Sequence, residues 1–303
     1  MQLPDFVRCP RCRSRLEALE CTRCGRRYEV EDDIPRLLDP EAPGLEAKLR
    51  ELAAWPELAR EQGWYEADDR IDAALPFLCR DLGWDDTAWR ATERGFEELL
   101  RRVRPGMRVL EIGAAKSWAA QHLLPLGCDY VAVDLIVDPL IGLGRGTFFE
   151  ERVGKSYLRI QADGERLPFA DASFDVAFCV ATLHHAIDLT AMVGELGRVT
   201  RRGGLVAALN EGTRAPYRSG RNPDQEHEKE LGINEHVHTL WAYLFALARA
   251  RLVPTSVQYA EGREGLAQRR IAGKLLRLGT LPAALWALNA YPYSGVSVFA
   301  RRV

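Results

Sequence analysis

The sequence predicts an α/β fold in which helices cover both faces of a largely parallel β-sheet. The first observation is an alternation, from about residue 106 onward, between short apolar segments and segments with helical periodicity. The second is that the apolar segments are nearly continuous, which is typical of strands buried on both faces. The third is two closely spaced cysteine pairs near the start of the sequence, which indicate a small separate module before the sheet.

Seven segments have the composition of strands. In chain order they are "MRVLEIGA", "CDYVAVDLI", "SYLRIQAD", "SFDVAFCVATL", "GGLVAALNE", "VPTSVQYA" and "YSGVSVFARRV". Two helices, "AAQHLLP" and "DLTAMVGELGRV", are predicted between them, and Thr239 is expected to cap a third helix. We expect the polar stretch from Glu211 to Glu235 to be a loop or lid, and residues 262–292 to be a mostly helical insertion.

The segment before the sheet is predicted to be helical, because apolar side chains recur in it at helical spacing. They form two stripes: Leu45, Leu49 and Leu52, then Phe96, Leu99, Leu100 and Val103. Four of the seven tryptophans also lie here: Trp55, Trp64, Trp84 and Trp89. We expect these rings, and Leu285, Trp286 and Leu288 of the insertion, to be ordinary core, with a lid over an apolar ligand as the alternative. The predicted organisation is a module at 1–40, a helical segment at 41–105 and the sheet domain at 106–303.

The composition is that of a soluble globular protein, with 47% hydrophobic and 28% charged residues. A formal net charge of −2 gives no global basic field of the kind found in many nucleic-acid-binding proteins. The sequence contains neither an apolar segment long enough to span a membrane nor a signal peptide. We therefore expect an intracellular, cytoplasmic protein.

The cysteine pairs form two CxxC motifs, Cys9 with Cys12 and Cys21 with Cys24, separated by eight residues. Two such turns complete a tetrahedral four-thiolate zinc site, and two redox-active pairs are the alternative. All four positions are thiolates, so no position stays open for water and the predicted zinc is structural. A module of about 35 residues buries too little surface to fold alone, and metal binding supplies on the order of 10 kcal/mol.

Seven arginines lie between Arg8 and Arg27, against only Glu17 and Glu20. This local excess of positive charge is compatible with binding to RNA phosphates. The interpretation that we favour is a solvated surface whose arginines offset the negative thiolates. No interleaved aromatic residues provide a platform for base stacking.

Three acidic residues follow predicted strands at informative positions. Glu111 precedes a turn of small residues, at which the backbone bends sharply and lets a ligand approach. Asp134 ends the next strand, 23 residues later, where a carboxylate accepts ribose hydroxyls in nucleoside-binding folds. Asp163 lies in "QADGERLPFADASFDVAF", which joins the third and fourth strands.

These motifs, in this order, resemble class I S-adenosylmethionine-dependent methyltransferases, which have a Rossmann-like seven-stranded fold. The turn "EIGAAKS" resembles their motif I, although Ala115 and Ser117 stand where the second and third glycines are usual. The resemblance implies that S-adenosylmethionine binds with its ribose at Asp134 and its adenine amino group at Asp163. It implies this set of cofactor-binding residues: Glu111, Gly113, Ala114, Ala115, Asp134, Leu135, Asp163, Gly164 and Thr182.

The segment "CPRCRSRLEALECTRCGRRYEVEDDIPRLL" resembles the small zinc-ribbon activators of methyltransferase complexes and the ribbons fused to some bacterial methyltransferases. In such complexes the ribbon is a partner or a scaffold element. Here we expect it to act within the same chain.

The candidate catalytic residues are three histidines. His184 and His185 follow the fourth strand in "LHHAID", which resembles the "LHH" of quinone and small-molecule methyltransferases. His236, with His238, precedes a helix after the predicted lid, and Glu211 follows the fifth strand. Any of them could act as a base on an acceptor that holds its proton at neutral pH. Pocket shaping, backbone hydrogen bonding and helix capping are the alternative roles.

Three functions are compatible with these features. The first is methylation of a small molecule such as a sugar, a lipid or a secondary-metabolite intermediate. The second is an RNA methyltransferase that binds RNA through the ribbon, although the "NPPY"-type motif of many N-methylating enzymes is replaced by "ATLH". The third is a degenerate fold that serves as a scaffold. We favour the first; the pattern predicts no oligomeric state.

Overall fold

The computed structural model describes residues 2–217, 226–260 and 293–303. Its strands are β1 (Leu16–Glu17), β2 (Glu20–Cys21), β3 (Val30–Glu31), β4 (Ile34–Pro35), β5 (Arg108–Ile112), β6 (Asp129–Asp134), β7 (Leu158–Gln161), β8 (Phe174–Val180), β9 (Thr200–Arg214), β10 (His238–Thr239), β11 (Leu252–Tyr259) and β12 (Tyr293–Arg302). Its α-helices are α1 (Leu45–Glu61), α2 (Asp69–Ala74), α3 (Leu78–Leu82), α4 (Thr87–Arg102), α5 (Ala120–Leu123), α6 (Gly146–Val153), α7 (Leu189–Val199), α8 (Glu226–Glu230) and α9 (Leu240–Arg249). The predicted insertion at 262–292 lies outside the described residues.

The central sheet has the strand order β11-β12-β9-β8-β5-β6-β7, with the short β10 paired to β9. Strands β5 to β10 pair in parallel, while β12 runs antiparallel to both β9 and β11. The predicted seven-stranded, mainly parallel α/β fold is therefore confirmed. From β5 the strand order runs through β6 and β7 on one side, and the chain then returns to β8 and β9 on the other side. At this reversal a crevice opens at the carboxyl end of β5, where such folds bind ligands.

Two hydrophobic cores cover the two faces of the sheet, because successive side chains of a strand point to opposite sides. Val109 of β5 packs with Phe96 and Leu99 of α4 on one face. Leu110, the next residue of the strand, packs with Leu196 of α7 on the other. Phe96, Leu99 and Val103 of the predicted stripe are buried and Leu100 is partly buried. Thr239 caps α9 by accepting a hydrogen bond from the amide of Ala242 at 3.2 Å.

The inward face of α1 differs from the predicted leucine stripe. Leu49 is 42% exposed, whereas Lys48 and Glu51 are buried with only 4% and 7% of their surface exposed. Charged side chains are rarely buried unless they are paired. The helix turns these residues inward because their partners lie beneath it: Asp163 and Glu165 for Lys48, and His185 for Glu51.

A buried acidic residue anchors α2 to the turn after β5. Asp72 is completely buried and accepts hydrogen bonds from Lys116 Nζ at 2.9 Å and Arg145 Nε at 2.8 Å. The two cations compensate one carboxylate, which is the condition for burying it. Lys116 belongs to the turn of small residues, so the helical segment braces that turn.

The cysteine-containing segment before α1, which we call the ribbon, is joined to the sheet domain by main-chain hydrogen bonds. The amide of Arg8 donates to the carbonyl of Pro168, and the amide of Ala170 donates to the carbonyl of Phe6, both at 2.8 Å. The amide of Leu37 donates to the carbonyl of Gln161 in β7, also at 2.8 Å. The ribbon therefore extends the hydrogen bonding of the domain at two places.

The polar stretch expected to be a loop is partly regular. Strand β9 continues to Arg214, and α8 and β10 also fall in or directly after this stretch. Glu211 consequently lies within a central strand rather than after it. In the part of the chain that the structure describes, the helices lack the length and apolar character required to cross a bilayer.

Candidate active site

A cavity lies at the carboxyl end of β5, between the sheet and helix α1. Its wall includes seven of the nine predicted cofactor-binding residues: Gly113, Ala115, Asp134, Leu135, Asp163, Gly164 and Thr182. Residues of α1 and the following loop close it from above: Lys48, Glu51, Leu52, Trp55 and Trp64. The cavity is thus built jointly by the sheet domain and the helical segment.

The turn after β5 keeps the geometry of a glycine turn although two of its residues are not glycine. Gly113, Ala115 and Ser117 all have positive φ angles, of 64°, 45° and 58°. Such angles are strained for residues with a Cβ and are found mainly where function requires them. A Cβ at Gly113 would lie 2.3 Å from side-chain atoms of Thr182, so glycine is required there and the cavity floor stays open.

Asp134 lies at the bottom of the cavity and is held by the backbone. Its Oδ2 accepts from the amide of Ala115 at 2.7 Å, and its Oδ1 accepts from the amide of Ile136 at 2.8 Å. Burial raises the pKa of Asp134 above its ordinary value, against these hydrogen bonds. Each carboxylate oxygen retains a further lone pair, so the group is suited to accept two hydroxyl protons.

Asp163 is paired with a lysine that sequence reasoning did not select. Lys48 Nζ lies 2.7 Å from Asp163 Oδ1 and 2.8 Å from Glu165 Oε1. All three side chains are largely buried, so the pair ties α1 to the loop after β7. Removing one partner of such a pair leaves a buried uncompensated charge.

Two of the predicted cofactor-binding residues do not line the cavity. The side chain of Glu111 is buried inside the sheet domain and accepts a hydrogen bond from the Tyr130 hydroxyl. Burial raises the pKa of Glu111 to about 8. Ala114 is 1% exposed and packs in the core beneath the turn. Both residues therefore support the turn from below.

The tryptophans of the helical segment are not uniformly core, contrary to expectation. Trp55 and Trp64 line the cavity, with ring centroids 6.5 Å apart. Trp64 and Trp84 are also exposed, by 37% and 39%. Trp55 and Trp64 fit the alternative of a lid, because they place an apolar aromatic wall over the ligand site.

Five side chains form what we call the histidine–carboxylate cluster: Glu51, His184, His185, Glu211 and Glu235. His184 Nδ1 lies 3.0 Å from Glu211 Oε2, and its Nε2 lies 3.8 Å from Glu235 Oε2. His185 Nδ1 lies 3.4 Å from Glu235 Oε1 and 3.7 Å from Glu51 Oε1. The cluster adjoins the cavity, since His185 and Glu51 are part of its wall.

Glu211 organises the turn that carries the two histidines. Its Oε1 accepts from the amides of Thr182 and Leu183 at 2.9 and 3.0 Å, while Oε2 faces His184. Burial opposes ionisation, yet these hydrogen bonds hold the pKa of Glu211 below its ordinary value. Burial also opposes the charge of His184, but Glu211 raises the pKa of this histidine. The pair therefore stays ionised more readily than its burial alone would allow.

The other members of the cluster have pKa values displaced mainly by burial. Burial lowers the pKa of His185 to about 3, so its ring is neutral. Burial, together with the nearby Glu235, raises the pKa of Glu51 to about 7, and burial likewise raises that of Glu235. Displaced titration of several groups next to a cavity is common at functional sites.

His236 and His238 lie farther out than expected. His236 is exposed and lines a neighbouring cavity, which shares Lys48 and Glu51 with the first one. Its amide donates to the carbonyl of His184 at 3.0 Å, so it supports the cluster through the backbone. The ring of His238 packs edge-on against Tyr243, with centroids 5.5 Å apart.

Sequence reasoning missed three charged residues of the site: Lys48, Glu51 and Glu235. Lys48 and Glu51 lie on a helix whose leucine spacing predicts a different buried face, and Glu235 ends the polar stretch that is predicted to be a loop or lid. A usable signal was present, because Lys48, Glu51 and Trp55 recur at helical spacing on one face of α1.

The four cysteines of the ribbon converge as predicted, with their sulfur atoms all within 4.8 Å of one another. The distances from Cys9 to Cys24 and from Cys12 to Cys21 are 3.8 and 3.4 Å. A tetrahedral site with bonds of about 2.3 Å has edges of about 3.8 Å. The Tyr28 hydroxyl lies 3.1 Å from Cys9 Sγ, and the amide of Cys24 approaches Cys21 Sγ at 3.5 Å. The geometry is that of a four-thiolate metal site.

Most of the ribbon arginines are neutralised within the molecule. Five of the seven form ion pairs, with Asp5, Glu20, Glu41 or Glu195. These ion pairs offset part of the local positive charge that would otherwise be available to RNA phosphates.

Comparisons with known proteins agree with this geometry. Residues 110–208 match the family described as methyltransferase domain. The chain is 29% identical over 181 residues to 27-O-demethylrifamycin SV methyltransferase of Amycolatopsis mediterranei, covering 58% of this chain and 66% of that protein. It is 33% identical over 128 residues to demethylmenaquinone methyltransferase of Mycobacterium marinum, covering 42% and 50% respectively. The chain thus spans from half to about two thirds of the length of these curated relatives.

A solved structure shares the fold. Geranyl diphosphate C-methyltransferase from Streptomyces coelicolor, in complex with S-adenosyl-L-homocysteine among other ligands, superimposes with a TM-score of 0.51 at 16% identity. The superposition covers 70% of this chain and 76% of the other. The strand order and the crevice at the end of β5 are those of the class I methyltransferase fold, and the sequence matches place a methyltransferase domain at residues 110–208.

Proposed function

We propose that the protein transfers a methyl group from S-adenosylmethionine to a hydroxyl group of a small molecule. The observation that carries this proposal is that one cavity has both Asp134 and Asp163 in its wall and also adjoins the histidine–carboxylate cluster. A cofactor-binding end and an acceptor-binding end are thereby contiguous.

The residues present fit the cofactor. The floor at Gly113 is open where a Cβ would clash with Thr182. Asp134 would accept the ribose hydroxyls, Asp163 would accept the adenine amino group, and Leu135 would cover the nucleoside. When bound, S-adenosylmethionine supplies an electrophilic methyl group on a sulfonium. The chain's own contribution is to align the acceptor and exclude water, and α1 with its tryptophans is placed to do this.

The histidine–carboxylate cluster would handle the acceptor hydroxyl. The hydroxyl proton leaves for a carboxylate or histidine of the cluster, and the oxygen electron pair then forms the bond to the methyl carbon. When bound, S-adenosylmethionine would take up the electron pair of the broken carbon–sulfur bond on its sulfur, so the transfer would balance. His184 and His185 are the histidines nearest this step, and His236 lines the neighbouring cavity through which an acceptor would enter.

The relatives support a small-molecule acceptor. One is named for methylation of 27-O-demethylrifamycin SV and another for methylation of demethylmenaquinone. We carry over the class only, a hydroxyl-bearing metabolite with an apolar part, since Trp55 and Trp64 line the cavity. An RNA acceptor finds no support in these relatives or in the paired ribbon arginines. The retained positive φ angles at Ala115 and Ser117 argue against a degenerate scaffold.

We also propose that the four ribbon cysteines hold one structural Zn²⁺. Four thiolates leave no coordination position for water or substrate. The division into a ribbon at 1–40, a helical segment at 41–105 and a catalytic domain at 106–303 belongs to the same proposal, as does a cytoplasmic location.

Calorimetry with S-adenosylmethionine tests the proposed function. Asp134→Asn is expected to weaken binding at least ~10-fold, because a charged acceptor of hydrogen bonds is lost. The matched control is Asp129→Asn at the other end of the same strand, where the carboxylate is exposed and pairs with Arg108; its affinity should equal that of the wild type. Failure of the folded wild-type protein to bind S-adenosylmethionine would remove the enzymatic function.

A further inference from the structure

The side chain of Lys48 lies between two buried carboxylates at the end of the cavity that contains Asp163. Its Nζ is 2.7 Å from Asp163 Oδ1 and 2.8 Å from Glu165 Oε1. Only 5% of the Lys48 side chain is exposed, compared with 8% for Asp163 and 11% for Glu165. Charges buried to this degree are stable only beside well-placed partners. The ammonium therefore holds both carboxylates in set positions.

Two donors reach the same oxygen of Asp163. Besides Lys48, the amide of Glu165 donates to Asp163 Oδ1, at 2.9 Å. Each carboxylate oxygen has two lone pairs, so these two hydrogen bonds saturate Oδ1. Asp163 also lies in the cavity wall. The oxygen that is left for a ligand is therefore Oδ2, and the carboxylate cannot turn without breaking both bonds.

Glu165 is held from a third segment of the chain, which fixes the position of the lysine. Its Oε1 accepts a hydrogen bond from the amide of Ile187 at 2.7 Å in addition to facing Lys48. Ile187 follows the turn that carries His184 and His185. Lys48 thus joins helix α1 to the loop after β7 and, through Glu165, to the segment after β8. An ammonium fixed in this way is a rigid partner for Asp163.

We propose that Lys48 is a positioning residue that makes the cofactor site selective for adenine over a 6-oxopurine. This rests on the proposed function, in which Asp163 accepts the adenine amino group. An ionised carboxylate oxygen is an acceptor only. Oδ2 therefore pairs with an amino group, whereas the carbonyl oxygen of hypoxanthine would present a second acceptor to it. A free carboxylate could turn to the ring N1–H of hypoxanthine, but one held at Oδ1 by Lys48 cannot.

Calorimetry with two thioethers tests this role. They are S-adenosylhomocysteine and S-inosylhomocysteine, in which an oxygen replaces the adenine amino group. We expect the wild type to bind the adenosine compound at least ~10-fold more tightly, because a buried acceptor left unpaired weakens binding. Lys48→Met should reduce this ratio to less than ~3-fold, because Asp163 then loses a charged hydrogen bond and can turn.

Arg50→Met is the matched control on the same helix. The side chain of Arg50 is 70% exposed and pairs with Glu46 on the outer face of α1. This variant removes a cation from α1 without reaching the cavity, so it should keep the wild-type ratio of affinities.

A second pair of variants keeps the test decisive if Lys48→Met does not fold. Glu165→Gln leaves Lys48 beside Asp163 and should keep the wild-type ratio. Combining it with Lys48→Met removes one charge of each sign, so the buried group keeps its net charge, yet the ratio should fall as in Lys48→Met. In an Asp163→Asn background, Lys48→Met should not change the ratio further, because the lysine acts through Asp163.

Three results would overturn the role of Lys48. The first is a wild-type protein that binds the two compounds equally, and the second is an unchanged ratio in the variants that lack Lys48. The third is tighter binding of S-adenosylhomocysteine without Lys48, which would mean that the lysine competes with the amino group for Asp163. Failure of the folded wild type to bind either compound would instead remove the proposed function.

Discussion

At the scale of single residues, Glu111 illustrates how a motif residue contributes to a site that it does not touch. It was selected as the acid before the turn, yet its side chain is buried in the sheet domain beside the hydroxyl of Tyr130. Asp134, one strand away, is the carboxylate that reaches the cavity. Because burial raises the pKa of Glu111, its ionisation should affect the pH dependence of the free energy of unfolding.

Replacing Glu111 with glutamine is expected to change the pH dependence of unfolding. The pKa of Glu111 in the folded protein is raised from 4.5 to about 8, so the fold favours the protonated side chain. The wild type is therefore most stable below pH 4.5 and loses stability as the pH rises to 8. From pH 5 to 8 the free energy of unfolding of Glu111→Gln should therefore rise relative to the wild type by ~3 kcal/mol. Denaturant titrations at several pH values measure this difference. Parallel profiles for the two proteins would show that Glu111 ionises normally in the fold.

The carboxylates show what sequence can identify at this scale. Asp134 and Asp163 were found because they stand at set distances behind a local turn pattern. Lys48 shares one helical face with Glu51 and Trp55, but this periodicity does not say which face of α1 is buried, and Glu235 has no comparable local signal. Their burial is stable only beside partners that are far away in the sequence, namely Asp163 for Lys48 and His184 for Glu235.

At the scale of elements, helix α7 offers two glycines in contrasting surroundings. A Cβ added at Gly194 would meet nothing within 4 Å. A Cβ added at Gly197 would lie 2.9 Å from the carbonyl oxygen of Ala250, just after α9, and 3.1 Å from its Cβ. Gly197 is therefore the residue that lets the two helices pack closely.

These surroundings predict opposite effects of the same substitution. Gly194→Ala should stabilise the protein by about 0.5–1 kcal/mol, because alanine loses less backbone entropy in a helix. Gly197→Ala should destabilise it by about 1–3 kcal/mol, because α9 must move. Denaturant-induced unfolding monitored by circular dichroism measures both. Equal effects at the two positions would contradict the assigned packing of α7 against Ala250.

The elements themselves were largely predictable. Periodicity located the helices of the segment 41–105, the strands β5 to β9 and the cap of α9, because these signals are local. It did not orient α1, since Leu45, Leu49 and Leu52 form a plausible apolar stripe. The cavity beneath the helix selects Lys48 and Glu51 instead, and a cavity is formed only when the sheet and the helical segment meet.

At the scale of the whole molecule, the ribbon contacts the sheet domain through packed aromatic rings and main-chain hydrogen bonds. Phe6 packs edge-on against Phe174, with ring centroids 5.6 Å apart. The amide of Leu37 donates a hydrogen bond to the carbonyl of Gln161 at 2.8 Å. The side-chain Nε2 of Gln161 donates in turn to the carbonyl of Leu135, in the cavity wall, at 2.8 Å. The ribbon thereby supports the cofactor end of the site.

Removal of the ribbon metal should consequently be felt in the sheet domain. We expect removal of the proposed Zn²⁺ by chelation, or the Cys12→Ser substitution, to unfold the ribbon, because so small a module needs metal binding to fold. The amide of Ala170, which donates to Phe6, should then lose protection from hydrogen exchange. The amide of Ala177 in the central strand β8 serves as the control and should stay protected. Unchanged exchange at Ala170 after metal loss would mean that the two parts fold independently.

The sequence by itself determined the α/β class, the order of the strands along the chain, the four cysteines that cluster and the carboxylates Asp134 and Asp163 that line the cavity. All of these depend on local periodicity or on short fixed spacings. Only the tertiary structure decided that α1 turns charged residues inward and that Glu51 and Glu235 join His184 and His185. The physical reason is that burying a charge is favourable only beside compensating groups, and here more than 100 residues separate Glu51 from the histidines that it faces.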